Sequence, residues 1–203
     1  MTAPTGSPIE RLKELLVEIA HRAYAFGMAP GVSGNLSVRV PGESRVVIKA
    51  TGKCFGDMTP TDTLVIDLEG DAVDPGSAQR PSTERWFHCA IYRRRPDVGA
   101  VVHLHPPYAV AFAALHALPP LLTEEARASL ERKAVVVPPA PSGSRELAAL
   151  VGDAFRDPAV GAAILAEHGT VTVGPDLHSA FYLSEYLEDA ARTACLVRHI
   201  RGG

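Results

Sequence analysis

Positive charge is scarce where a nucleic acid would need it. The 203 residues carry 20 Lys and Arg against 23 Asp and Glu, and no basic cluster is interleaved with aromatics, so a nucleic-acid partner is not expected. Long hydrophobic runs are also missing. The longest are short and flanked by polar residues, which leaves no membrane-spanning stretch and no membrane partner. Residues 1–7 show no basic segment leading into an apolar one, so a secretory leader is not expected. Cysteine is rare: Cys54, Cys89 and Cys195 are far apart and odd in number. That pattern suits free thiols in a reducing cytoplasm rather than a disulfide frame. No period of about 20–50 residues recurs, which removes solenoids and propellers. What is present is ordinary for a globular chain, 46% hydrophobic and 21% charged residues, enough to bury a core without a metal or disulfide staple. Length and composition predict one domain over residues 1–203.

Helix and strand signals alternate along the chain. Ser7-Pro8-Ile9-Glu10 reads as a capping box with Pro8 at the first helical position. Apolar residues then recur at helical spacing from Ile9 to Phe26, and Gly27 is a natural stop. Strand-like runs cover residues 36–40, 45–49 and 64–68. Pro81-Ser82-Thr83-Glu84 is expected to open a second helix that runs to about Arg94, with Pro96 beyond it. Residues 98–105 read as a strand, 108–115 as a short helix, 134–137 as a strand and 145–155 as a helix. Residues 162–166 and 170–173 read as strands suited to hairpin pairing. A long final helix follows the turn Gly174-Pro175-Asp176, with Tyr182 and Tyr186 beside its apolar stripe in a packing role. The fold class is α/β: one domain with a central, largely antiparallel sheet and helices on its faces.

The strongest chemical signal is His103-Leu104-His105. Residues i and i+2 of a strand point the same way, so two imidazoles converge on one point. That pairing suits a zinc ion, which takes nitrogen ligands. His168, at the end of an apolar strand and followed by Gly169, is a candidate third ligand. A three-histidine site with an open fourth position is catalytic in type. The other histidines, His21, His88, His116, His178 and His199, fall within helices or near their ends and read as structural. A second signal is the start of the second helix, where Ser82 and Thr83 add hydroxyls to free backbone N–H groups. Ser82 alone would merely cap its helix. The small polar turns Gly34-Asn35-Leu36-Ser37 and Thr51-Gly52 add further N–H groups, and together they suggest an oxyanion-binding cup. Glu84, beside the cup, is either an acid–base group reaching the metal or a first-turn carboxylate favouring the helix dipole.

These pieces, in order, resemble the class II aldolase/adducin head family. They are Gly34-Asn35-Leu36-Ser37, Ala50-Thr51-Gly52, the run from Phe55 to Asp62, Pro81-Ser82-Thr83-Glu84, the run from Arg95 to Pro106 that contains His103-Leu104-His105, and Glu167-His168-Gly169. The resemblance implies a three-layer α/β/α domain and a homotetramer with active sites between subunits. It implies a divalent metal, zinc or else manganese or cobalt, held by His103, His105 and His168. Glu84 would be the acid–base residue, and Asn35, Thr51, Gly52, Ser82 and Thr83 would hold a sugar phosphate. The implied reaction is cleavage of a ketose 1-phosphate, such as L-fuculose 1-phosphate or a 5-deoxypentulose 1-phosphate, to dihydroxyacetone phosphate and an aldehyde through a metal-stabilised enediolate. The same family chemistry supports methylthioribulose-1-phosphate dehydratases, sugar-acid phosphate decarboxylases and pentulose-phosphate epimerases. Adducin-like heads keep the fold for assembly without catalysis. In the dehydratase branch the acid–base glutamate lies about twenty residues past the paired histidines, near Glu124 and Glu125 here. The chain departs from the family pattern at Thr83 (usually serine), at Glu167 (commonly asparagine) and at Leu104 (often a small residue). No tyrosine follows Tyr186.

Overall fold

The computed structural model describes residues 6–73 and 79–202. Residues 1–5, on which the expectation of no leader partly rests, lie outside the described residues. Helix α1 spans Pro8–Ala25 and starts on the expected capping box: Glu10 N–H donates to Ser7 Oγ at 3.2 Å and Ser7 N–H donates back to the Glu10 carboxylate. Strands β1 (Asn35–Arg39), β2 (Arg45–Lys49) and β3 (Thr63–Asp67) follow. Then come α2 (Arg85–Arg94), β4 (Ala100–Leu104), α3 (Pro107–Ala114) and α4 (Glu124–Leu130). The chain continues through β5 (Ala134–Val137), α5 (Arg145–Ala154), β6 (Ala162–Leu165), β7 (Gly169–Gly174) and α6 (Leu177–Ile200).

One seven-stranded sheet runs in the order β3-β2-β1-β4-β7-β6-β5. Every pairing is antiparallel except β5 with β6. The strands are apolar on both sides because helices cover both faces, and side chains alternate between them. Val46, Ile48, Val101, Ala163 and Leu165 face α2 and α5, where they meet Phe87, Ile91, Leu147, Val151 and Phe155. Their sequence neighbours Val47, Ala100, Val102 and Leu104 face α1 and α6, against Leu16, Ile19 and Phe181. Ala162 and Ile164 meet α3 and α4 through Ala109, Ala113 and Leu130. The protein is therefore mixed α/β, with a largely antiparallel sheet flanked by helices. No helix of the described residues is long and apolar enough to cross a membrane.

The structure differs from the sequence reading in three places. Helix α2 starts at Arg85, not at Pro81, because residues 80–82 pair with the end of β2: Ser82 N–H donates to Lys49 O and Thr51 N–H to Arg80 O. Helix α4 forms in a stretch to which the sequence reading assigns no element; Thr123 caps it by accepting from Ala126 N–H at 3.1 Å. Tyr182 and Tyr186 are exposed rather than packed, since the buried stripe of α6 runs through Leu177, Phe181 and Leu187 on the adjacent face.

Candidate active site

Strand β4 ends at Leu104 and carries His103 on the face that meets α2. His105 lies one residue past the strand, fixed by its N–H donating to Met28 O at 2.9 Å. His168 sits in the tight turn from β6 to β7, not at a strand end, and its N–H donates to Leu165 O. The sharp bend there is made by Glu167, with φ +62°, and not by Gly169. Gly169 is needed for a different reason: a Cβ would lie 2.6 Å from Leu104 O and 2.8 Å from His105 Cδ2. Close passage of β7 against β4 thus requires glycine beside the third histidine.

The three rings pack against one another with centroids 4.8–5.1 Å apart. One ligand atom from each lies within 4.8 Å of the others. His103 Nδ1 faces the carbonyl of Thr170 at 2.8 Å and must donate to it. In the neutral ring Nε2 then carries a lone pair. That lone pair faces His105 Nε2 at 3.0 Å and Glu84 Oε2 at 3.0 Å. Glu84 Oε1 lies 3.3 Å from His168 Nε2. Electron-rich atoms converging this way are reconciled by a positive charge between them, so the donor set fits a divalent cation. Burial and the neighbouring His103 and His168 push His105 down to about 3, and burial also lowers His168. Burial thus disfavours the charged form of both rings, and the neutral form is the one that ligates metal. His168 Nδ1 is buried without a hydrogen-bond partner among the described residues, so packing holds that ring.

Glu84 occupies the N-cap position of α2 but makes no side-chain cap. Its carboxylate turns inward instead, accepting from Asn35 Nδ2 at 3.0 Å and Ser142 Oγ at 2.9 Å. Burial pushes this carboxyl up. His103, His168 and Ser142 outweigh that and hold it well below the usual carboxylate range. Next to it opens a cavity of about 310 Å³ lined by Asn35, Thr51, Gly52, Ser82, Thr83 and Glu84, with His105 and His168 on its wall. The residues singled out from the sequence for the oxyanion cup, the acid–base role and metal ligation are thus brought together; His103 alone of them does not line the cavity, being fully buried behind Glu84. Glu124 and Glu125 lie on the exposed first turn of α4; neither lines this cavity, and Glu125 borders a different cleft with Tyr182 and Tyr186.

Sequence reasoning passed over three residues here. Lys49, the last residue of β2, lines the cavity and donates to Val32 O and Gly34 O, both at 2.8 Å. Ser142 reaches Glu84 from the loop before α5. His88, set aside as structural, is fully buried and bonded to Asn35. The signal for Lys49 was available: a lone lysine ending an apolar strand beside a Thr-Gly turn.

A family model described as the Class II Aldolase and Adducin N-terminal domain matches residues 14–195. An L-fuculose phosphate aldolase of Methanococcus maripaludis is 32% identical over 91% of this chain and 97% of its own length. A 3-oxo-tetronate 4-phosphate decarboxylase of Haemophilus influenzae is 34% identical over 89% of this chain and 85% of its own. Among solved structures, an L-fuculose 1-phosphate aldolase superposes with a TM-score of 0.85 at 27% identity, covering 99% of this chain and 90% of that one.

Proposed function

The chain belongs to the class II aldolase and adducin N-terminal domain family, and we propose that within it the protein is a metal-dependent aldolase cleaving a ketose 1-phosphate to dihydroxyacetone phosphate and an aldehyde. The position of Glu84 carries this reading: its two oxygens face His103 and His168 while the residue also lines the polar cavity. In this reading His103, His105 and His168 hold the cation, with zinc favoured over manganese or cobalt by the all-nitrogen donor set. When bound, the cation supplies Lewis acidity toward the carbonyl and hydroxyl oxygens of the substrate.

The remaining work falls to the chain's own groups. Asn35, Thr51, Gly52, Ser82 and Thr83 take the phosphate, with the Lys49 ammonium as the cationic group of the cup. Fixing the phosphate fixes the distance to the scissile bond, which converts binding energy into orientation. As the bond breaks, the substrate hydroxyl that becomes the aldehyde gives up its proton, and Glu84, ionised at rest, takes up a proton and delivers it to the carbon that loses the aldehyde; condensation runs the transfer in reverse. Its burial excludes bulk water from that transfer. A dehydratase would place the acid–base carboxylate near Glu124 or Glu125, and their exposure outside the cavity favours the aldolase. The reading extends to a homotetramer with sites between subunits, supported by the exposed Phe26, Tyr182 and Tyr186 on one side of the molecule's α1 and α6. It also extends to a cytoplasmic location, supported by the free thiols of Cys54, Cys89 and Cys195.

The test is metal-stripped protein reconstituted with zinc and offered ketose 1-phosphates, among them L-fuculose 1-phosphate and 5-deoxyribulose 1-phosphate. Dihydroxyacetone phosphate is followed by coupled NADH oxidation. The expected result is metal-dependent release that disappears in Glu84→Gln, a variant that keeps its zinc but no longer exchanges carbon-bound hydrogen on dihydroxyacetone phosphate. Full exchange in that variant removes Glu84 from its role. No release from any ketose 1-phosphate by zinc-loaded wild type overturns the aldolase reading.

A further inference from the structure

Behind Glu84 and Asn35 lies a file of buried polar side chains, Ser37, His88 and Tyr92, that neither the histidine cluster nor the cavity uses. His88 and Tyr92 stand four residues apart on one face of α2. Asn35 and Ser37 stand two apart on one face of β1. Ser37, His88 and Tyr92 are at most 1% exposed, and Asn35 is 4% exposed. Ser37 Oγ is 2.9 Å from Tyr92 Oη and 2.7 Å from His88 Nδ1. His88 Nε2 is hydrogen-bonded to Asn35 Oδ1, and Asn35 Nδ2 donates to Glu84 Oε2 at 3.0 Å.

The direction of every bond in this file is forced. An ionised carboxylate only accepts, so Asn35 must turn its NH₂ toward Glu84. Asn35 Oδ1 then faces His88 and accepts, which puts the His88 proton on Nε2. Burial pushes His88 down to about 3, so the ring is neutral and its Nδ1 accepts from the Ser37 hydroxyl. The Ser37 oxygen in turn accepts from Tyr92. All four donors point toward the carboxylate.

We propose that Ser37, His88 and Tyr92 are positioning residues that lock the Asn35 amide in the one orientation able to hold Glu84. The inference rests on the reading of Glu84 as the acid–base group. Without His88, Asn35 Oδ1 is left buried without its donor, and only the bond to Glu84 still holds the amide in place. With the amide held at one end only, the carboxylate leaves its place between the histidines and the cavity. A hydrogen-bonded buried histidine with only a packing role would stabilise the core and leave turnover alone.

The experiment uses the zinc-reconstituted protein and hydrogen exchange on dihydroxyacetone phosphate. His88→Leu removes the donor to Asn35, whereas His88→Gln keeps an amide N–H in its place. Outer partners of this kind cost about 10- to 100-fold in activity. The expected result is a fall of that size in kcat for His88→Leu, a smaller one for Ser37→Ala and the smallest for Tyr92→Phe. KM stays within about threefold, zinc content stays full, and His88→Gln recovers most of the rate. Wild-type kcat in the folded, zinc-loaded variants overturns the proposal, as does a loss confined to KM or one that His88→Gln shares with His88→Leu. A second measurement needs neither a variant nor the reaction. Nitrogen-15 NMR of the wild type is expected to show His88 as the Nε2–H tautomer from about pH 5 to pH 8. A protonated ring or the Nδ1–H tautomer overturns the bond directions. Wild type that exchanges no hydrogen refutes the functional reading alone, and the tautomer still decides the orientation of the file.

Discussion

Lys49 offers a quantitative handle on the cup. It is 3% exposed, and burial pushes its ammonium from 10.5 to about 8, with Cys54 and Glu84 opposing part of that shift. Lowered proton affinity in the folded state means the unfolded chain binds this proton more tightly. The charged group therefore costs stability below about pH 8, by roughly 3 kcal/mol, and the cost is relieved as pH rises from about 8 toward 10.5. A phosphate dianion beside the ammonium reverses the shift, because an opposite charge favours the charged form. Phosphomonoesters are dianions above a second pKa of about 6, so the ligand's own charge is constant from about pH 7 to pH 9. Over that range the fraction of Lys49 charged in the free protein drops from about nine-tenths to about one-tenth. Apparent Kd for a phosphomonoester should rise about tenfold, some 1.4 kcal/mol, with close to one proton taken up per ligand at the upper end. Calorimetry with glycerol 1-phosphate in two buffers of different ionisation heat measures both quantities. Lys49→Met should bind more weakly throughout and lose the slope. A flat Kd in the wild type, or the same slope in Lys49→Met, would refute the reasoning.

Two further outcomes follow from local geometry. Gly169→Ala inserts a methyl 2.6 Å from Leu104 O and 2.8 Å from His105 Cδ2. Zinc affinity should drop about tenfold or more while the far edge of the sheet stays folded, which competition with a chelator and circular dichroism would resolve. Glu167 holds φ +62°, a conformation that costs an unbranched L-residue about 1 kcal/mol and asparagine less. Its exposed pairing with His116 at 2.9 Å contributes under about 1 kcal/mol. Glu167→Asn should therefore leave stability unchanged or raise it by up to about 1 kcal/mol in urea unfolding; a clear loss would mean the pairing with His116 matters more than backbone strain.

Sequence logic reached far where the signal was local and stopped where partners were distant. The capping box of α1, the strand at residues 134–137 and the apolar face of α6 are properties of neighbouring residues, and the structure has all three. Strand order was invisible because β1 pairs with β4, and β4 with β7, across long crossovers. The start of α2 was misplaced for the same reason: Pro81 and Ser82 carry every local mark of a helix start, yet backbone bonds from Ser82 N–H to Lys49 O and from Thr51 N–H to Arg80 O draw them into extended pairing. The histidines 103 and 105 announced themselves by spacing. His88 did not, since its partner Asn35 is 53 residues away, and a single polar residue in a buried helix face looks the same whether it orients a site or fills a core.

The departures from local preference are themselves concentrated. Glu84 sits at an N-cap without capping, although a side-chain cap there contributes about 1 kcal/mol. Lys49 keeps an ammonium buried. Glu167 takes a left-handed backbone, and His116, which it meets, takes another at φ +52°. Gly34, at φ +73°, gives way to the backbone of His103, where a Cβ would lie 3.0 Å from the carbonyl oxygen. Among the described non-glycine residues with positive φ, only Arg132, in the turn before β5, has no link to the histidine cluster. Packing alone would scatter such violations over the molecule or remove them. Their convergence on the three histidines and Glu84 means that folding energy is spent there on geometry the fold itself does not need, as expected where charge must be held dry and aimed at a reacting carbon.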